Sequence, residues 1–136
     1  MVIKPYTQYS EAEILPLYES VGWVFYCAHP EVLRKAYANS LCILAAYEET
    51  KLVGLIRSVG DGHTILFIQD LLVYPEYQRR GIGTALMKAV LEKYPHTYQI
   101  ELATDNTEKT VSFYKSLGFR PMQDIGCCGF MKIRKM

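Results

Sequence analysis

The chain reads as a mixed α/β domain, with a mostly antiparallel sheet of about six or seven strands, one parallel pair at its centre, and about four flanking helices. Three observations predict it. Residues 41–73 hold three strand-like apolar runs separated by polar and glycine turns. Residues 64–103 run strand, turn, glycine loop, amphipathic helix, strand. Cap residues followed by apolar periodicity open helices near residues 10 and 105. With 136 residues the chain has room for one domain, taken as 1–136.

Residues 3–8 form a short edge strand, a position that suits Pro5, which cannot donate to a ladder. Ser10 and Glu13 have capping-box spacing and open a helix carrying Leu15, Leu17 and Tyr18 to about Val21. Pro16 lies near enough the start to be tolerated or to kink that helix, and Gly22 stops it. The stretch Trp23-Val24-Phe25-Tyr26-Cys27-Ala28-His29-Pro30 is aromatic and without period, either a packed connector or one wall of a pocket. A second helix over 31–39 puts Val32, Leu33, Ala36 and Tyr37 on one side.

Residues 41–47 are almost wholly apolar and predict a buried strand. The turn Glu48-Glu49-Thr50-Lys51 makes a hairpin with the strand over 52–59. Gly60-Asp61-Gly62-His63 is a second turn, and the long strand 64–73 follows. The helix over 83–93 carries Ile82, Leu86, Ala89 and Val90 along one stripe and ends at Pro95. The strand over 98–103 alternates Ile100 and Leu102 against Gln99 and Glu101, and must lie parallel to 64–73. Asp105 and Glu108 have capping-box spacing before a helix with Val111, Tyr114 and Leu117, closed by Gly118. Runs 119–122 and 128–133 predict two final strands.

Composition removes several function classes. A formal net charge of +1 gives no general attraction for nucleic acid or an anionic membrane. No apolar run nears the roughly 18 residues that span a bilayer, and residues 1–6 lack a signal-peptide layout, so a cytoplasmic protein is expected. Cys27, Cys42, Cys127 and Cys128 show no C-x-x-C spacing, which predicts free thiols, mostly buried, and no metal site.

The chemistry gathers at Gln78-Arg79-Arg80-Gly81-Ile82-Gly83-Thr84. Glycines one residue apart let backbone approach a ligand, and the helix behind them aims unpaired N–H groups at it. Arg79 and Arg80 add donors suited to phosphate. A P-loop would need lysine after Gly83, and a dinucleotide fingerprint a third glycine where Leu86 stands. The loop is built to hold an anion, and both of these nucleotide readings fail.

Gln-x-x-Gly-x-Gly at the head of a helix, preceded by Asp70-Leu71-Leu72-Val73-Tyr74-Pro75-Glu76-Tyr77, resembles the acetyl-CoA signature of the GCN5-related N-acetyltransferases. Residues 106–119, Asn-Thr-Glu-Lys-Thr-Val-Ser-Phe-Tyr-Lys-Ser-Leu-Gly-Phe, resemble that family's second block, departing only around Lys109 and Thr110. The resemblance implies an acetyl-CoA-dependent N-acetyltransferase that acylates a primary amine of a small molecule or peptide by direct transfer. It implies that the central parallel pair splays, that main-chain groups of Leu71, Leu72 and Val73 hold the pantetheine arm, and that residues 78–84 hold the diphosphate. Tyr114 becomes the general acid, and Asn106 either binds pantetheine or caps its helix. Trp23 and Tyr26 become acceptor contacts. Asp70 stands as either the base that deprotonates the acceptor or a brace for the loop. A CoA-binding regulatory module without transfer activity is the rival reading; oligomeric state stays open, homodimers being common in that family.

Overall fold

The computed structural model describes residues 1–135, and the chain divides into two compact units, Met1–Leu102 and Ala103–Met136. The larger unit is built on one sheet of five strands: β1 (Val2–Pro5), β2 (Cys42–Glu48), β3 (Lys51–Gly60), β4 (Ile65–Val73) and β5 (Gln99–Leu102), in that spatial order. The first three pairings are antiparallel and β4–β5 is parallel. The crossover between the parallel strands is the helix α4 (Ile82–Lys93), as a parallel connection requires. Ahead of the second strand come α1 (Glu11–Ser20), α2 (Val24–Ala28) and α3 (Pro30–Ala38).

Two apolar layers follow from the alternation of side chains along the strands. Ala45, Leu55 and Leu72 share a face and join a fully buried cluster with Ile14, Leu17 and Tyr18 of α1 and Leu33 of α3. The opposite face carries Gly54, whose missing side chain makes room for α4. A Cβ there would stand 3.2 Å from Ile82 Cγ2 and 3.3 Å from Leu86 Cδ1. Ile82, Leu86, Met87 and Val90 form the buried stripe of α4, so Met87 joins the face expected from the periodicity.

The ladder between β3 and β4 is interrupted. Arg57 pairs with Asp70 and Ser58 with Ile68, so Gln69 is an extra residue on β4. This is a β-bulge, and it reverses the face of everything beyond it. Ile68 lies with Ser58 on the α4 side; Asp70, two residues on, lies with Arg57 and Leu55 on the α1 side. The bulge also marks where β4 leaves β5. Their last register pair is Ile68 with Leu102, and β4 continues to Val73.

In the smaller unit α5 (Glu108–Ser116) is followed by a short 3₁₀ turn, Met122–Ile125. Five expectations change here and at the termini of other elements. The sheet has five strands, because 119–122 and 128–133 form none. Pro121 brings no N–H to a ladder, and among the described residues no neighbour pairs with 128–133, where Phe130 is 94% exposed. Among the described residues five α-helices replace about four, because the aromatic stretch folds into α2. Ser10 makes no side-chain cap; Tyr6 hydroxyl accepts from Ser10 N–H at 3.1 Å and donates to Glu13 at 3.1 Å, standing between the two partners of the expected box. The cap of α5 is Thr107, whose hydroxyl accepts from Thr110 N–H, not Asp105. All four thiols are free, but Cys127 and Cys128 are exposed. Among the described residues no helix is long and apolar enough to cross a membrane.

Candidate active site

The glycine loop begins where β4 ends. Pro75–Tyr77 form a 3₁₀ turn, and Gln78 reaches back to donate its Nε2 hydrogen to the Val73 carbonyl at 3.1 Å. Arg79 (φ 65°) and Gly81 (φ 81°) both take left-handed backbone, with Arg80 between them. For glycine that conformation is free; for arginine it costs about 1 kcal/mol. Gly81 is the N-cap of α4 and supplies no side chain. The first amides of a helix have no intrahelical acceptor, so N–H groups of Ile82, Gly83 and Thr84 are available to an anion. Ile82 turns its side chain into the core, and only its main chain is free for such a role.

Charge gathers around the loop as well. Arg79 and Arg80 are exposed, and Arg80 Cζ lies 5.0 Å from the centroid of Tyr77. Lys51, on the neighbouring hairpin, lies 5.3 Å from the same ring and 3.8 Å from Glu76. Behind the loop, residues 69–73 have no strand beside them on the β5 side among the described residues. That leaves the main chain of Leu71, Leu72 and Val73 an open edge. Such an edge pairs with any extended ligand that carries amides.

On the α1 face of the sheet a second group of residues converges. Asp70 is 1% exposed, and its Oδ2 accepts from Arg57 Nε at 2.6 Å and from Tyr18 hydroxyl at 2.7 Å. Tyr18 hydroxyl also lies 3.0 Å from that of Tyr37, and Arg57 Nη1 donates to Ser40 at 3.2 Å. Burial, and then the Asp70 charge, push the Tyr18 phenol far above the ordinary tyrosine range, so it stays a proton donor. The Tyr18 ring is flanked by Trp23, at 6.0 Å, and by Tyr26, edge-on at 5.8 Å. The two expected acceptor contacts are thus joined to Asp70 through one tyrosine.

In the smaller unit Tyr114 packs edge-on against Phe113 at 5.0 Å and Phe119 at 6.0 Å. Burial, and secondarily the Asp105 carboxylate, raise its phenol pKa, so it holds its proton at neutral pH. Asn106 is exposed and lies outside α5, whose cap is Thr107; of its two expected roles the capping one is excluded. Reading the sequence alone missed Arg57, Tyr18 and Tyr37 as a unit. The available signal was an arginine and an aspartate, each set among mainly apolar residues in the interior of adjacent strands, β3 and β4. Buried charges of that kind need each other.

Comparison with known proteins bears on the whole chain. Residues 9–119 match the family model described as Acetyltransferase (GNAT) family. An N-acetyltransferase of Gracilaria tenuistipitata var. liui named ycf52 is 33% identical over 110 residues, 76% of this chain and 58% of that protein. The peptidyl-lysine N-acetyltransferase YiaC of Escherichia coli is 33% identical over 88 residues, 65% of this chain and 56% of that protein. The chain spans about six tenths of the length of the curated relatives it matches. Among solved structures, a GNAT-family acetyltransferase from Streptococcus pneumoniae TIGR4 superposes with a TM-score of 0.88 at 42% identity, covering 99% of this chain and 98% of that one.

Proposed function

The chain belongs to the acetyltransferase (GNAT) family, and from that premise we propose that residues 1–136 act as one acetyl-CoA-dependent N-acetyltransferase domain in the cytoplasm. The acceptor is a primary amine of a small molecule or peptide. The observation that carries this reading is the junction at the end of β4: an open main-chain edge at 71–73 runs directly into a loop of free amides. An edge of that kind suits the two amides of pantetheine, and the loop suits a diphosphate. Gln78, Arg79, Arg80, Gly81, Ile82, Gly83 and Thr84 hold the diphosphate, and Asn106 contacts the arm.

The transfer proceeds in one step. The amine nitrogen bonds to the thioester carbon, the carbon–sulfur bond breaks, the departing sulfur takes a proton from the Tyr114 hydroxyl, and the proton shed by the new amide nitrogen passes through solvent to restore the Tyr114 phenol. A main-chain N–H of the β4 edge steadies the carbonyl oxygen as it gains charge. The amine must first lose a proton, which costs about 4 kcal/mol at pH 7 for an ordinary alkylammonium. Of the two roles open to Asp70, its burial and the two donors on Oδ2 favour the brace. Trp23, 39% exposed, and Tyr26 form the apolar wall against which the amine lies.

The test is CoA release with a panel of amines, including a lysine peptide because one relative is named for that substrate. Turnover is expected, with kcat about 100-fold lower in Tyr114→Phe and KM for acetyl-CoA unchanged. Tight CoA binding with no turnover on any amine would replace this reading with a regulatory CoA-binding module.

A further inference from the structure

Gln69 is the one unmatched residue in the β3–β4 ladder, and the pair that flanks it is Arg57 with Asp70. Directly opposed residues share a face and touch, and here they do so through a hydrogen-bonded ion pair, 5% and 1% exposed. Consider the ladder without the bulge. Asp70 would fall on the face of Leu66 and Ile68, among buried apolar side chains on the α4 side, away from both Arg57 and Tyr18. Every other residue of β4 beyond the bulge is apolar: Leu71, Leu72 and Val73 suit either face. Asp70 alone distinguishes the two registers. A buried charge is costly without its partner, so the carboxylate selects the bulged one.

The register has a consequence for the site. A slip of one residue exchanges which N–H and C=O groups of 71–73 point toward the open edge. We propose that Arg57, through Asp70 and with Tyr18, is a positioning residue that locks the bulge and so sets which main-chain groups of 71–73 face the pantetheine arm. The pair works on the strand edge and leaves the loop amides alone. It rests on the reading that this edge holds CoA.

The test compares two probes: coenzyme A, which carries the arm, and 3′-phosphoadenosine 5′-diphosphate, the same nucleotide without it. Removing Arg57 alone strands a buried carboxylate and invites unfolding, so the informative variant is Arg57→Met/Asp70→Leu, close to the original volumes. It frees the register while keeping the core apolar. In titration calorimetry the wild type is expected to bind CoA more tightly than the nucleotide. The double variant should lose at least 10-fold in CoA affinity and less than 2-fold in nucleotide affinity, with Arg57→Lys between. A double variant that keeps the full preference for CoA overturns the lock, as does one that weakens both probes alike. A wild type that binds neither probe overturns the CoA reading itself, and the lock with it.

Discussion

The glycine loop and the Tyr18–Asp70–Arg57 cluster lie at opposite ends of one short stretch of chain, residues 70–84, and are built on opposite terms. The loop is exposed, presents backbone, and relies on left-handed residues at Arg79 and Gly81. The cluster is buried, presents side chains, and relies on strand register. A loop whose ligand groups are main-chain amides tolerates changes of side chain that leave its dihedrals alone. A buried ion pair tolerates almost none. The contrast separates residues whose loss costs binding from residues whose loss costs the fold.

The largest expected effect falls on the cluster. Asp70→Ala leaves the Arg57 guanidinium buried without its carboxylate, and urea unfolding should show about 3–5 kcal/mol lost. Asp70→Asn also separates brace from base: a brace predicts lost stability and a raised KM, a base a lost kcat with KM kept. Gly54→Ala comes next. Its Cβ would meet Leu72 O at 3.1 Å as well as Ile82 and Leu86, so α4 must shift from the sheet, at about 1–3 kcal/mol by the same measurement.

A third effect is pH-dependent. Tyr18 and Tyr37 are pushed above the ordinary phenol range mainly by burial. In the unfolded chain both lose their protons near pH 10, while in the folded chain they keep them. The unfolded state therefore binds fewer protons, and stability present below pH 10 falls as pH rises. The slope should be about 1.4 kcal/mol per pH unit for each such tyrosine. Tyr18→Phe should remove one share of that slope in urea unfolding between about pH 10 and 11, and a slope unchanged by Tyr18→Phe would show that Tyr18 ionises freely. The smallest effect falls on the loop. Arg79→Gly relieves the backbone at φ 65°, so stability should hold or rise by up to about 1 kcal/mol, while CoA affinity falls a few-fold with the lost charge.

The same contrast explains what could be read in advance. The loop is local: glycine spacing, a strand before and a helix after lie within about thirty consecutive residues, and the structure forms each of them. The cluster joins residues 18, 37, 57 and 70, and it exists only because one extra residue turns Asp70 to the α1 side. Strict alternation through Leu66, Ile68, Asp70 and Leu72 would have put all four on one face. A bulge leaves no mark in such a pattern. The final strands failed for a related reason. Apolar runs at 119–122 and 128–133 have strand composition, but pairing is decided by partners that composition does not name.

The most direct measurement is a backbone amide NMR titration of the protein with coenzyme A. The largest shifts are expected at Leu71, Leu72 and Val73 and at residues 79–84, the open strand edge and the loop that follows it. Shifts confined to other surfaces, or none at saturating ligand, would contradict the assignment of that junction as the cosubstrate site.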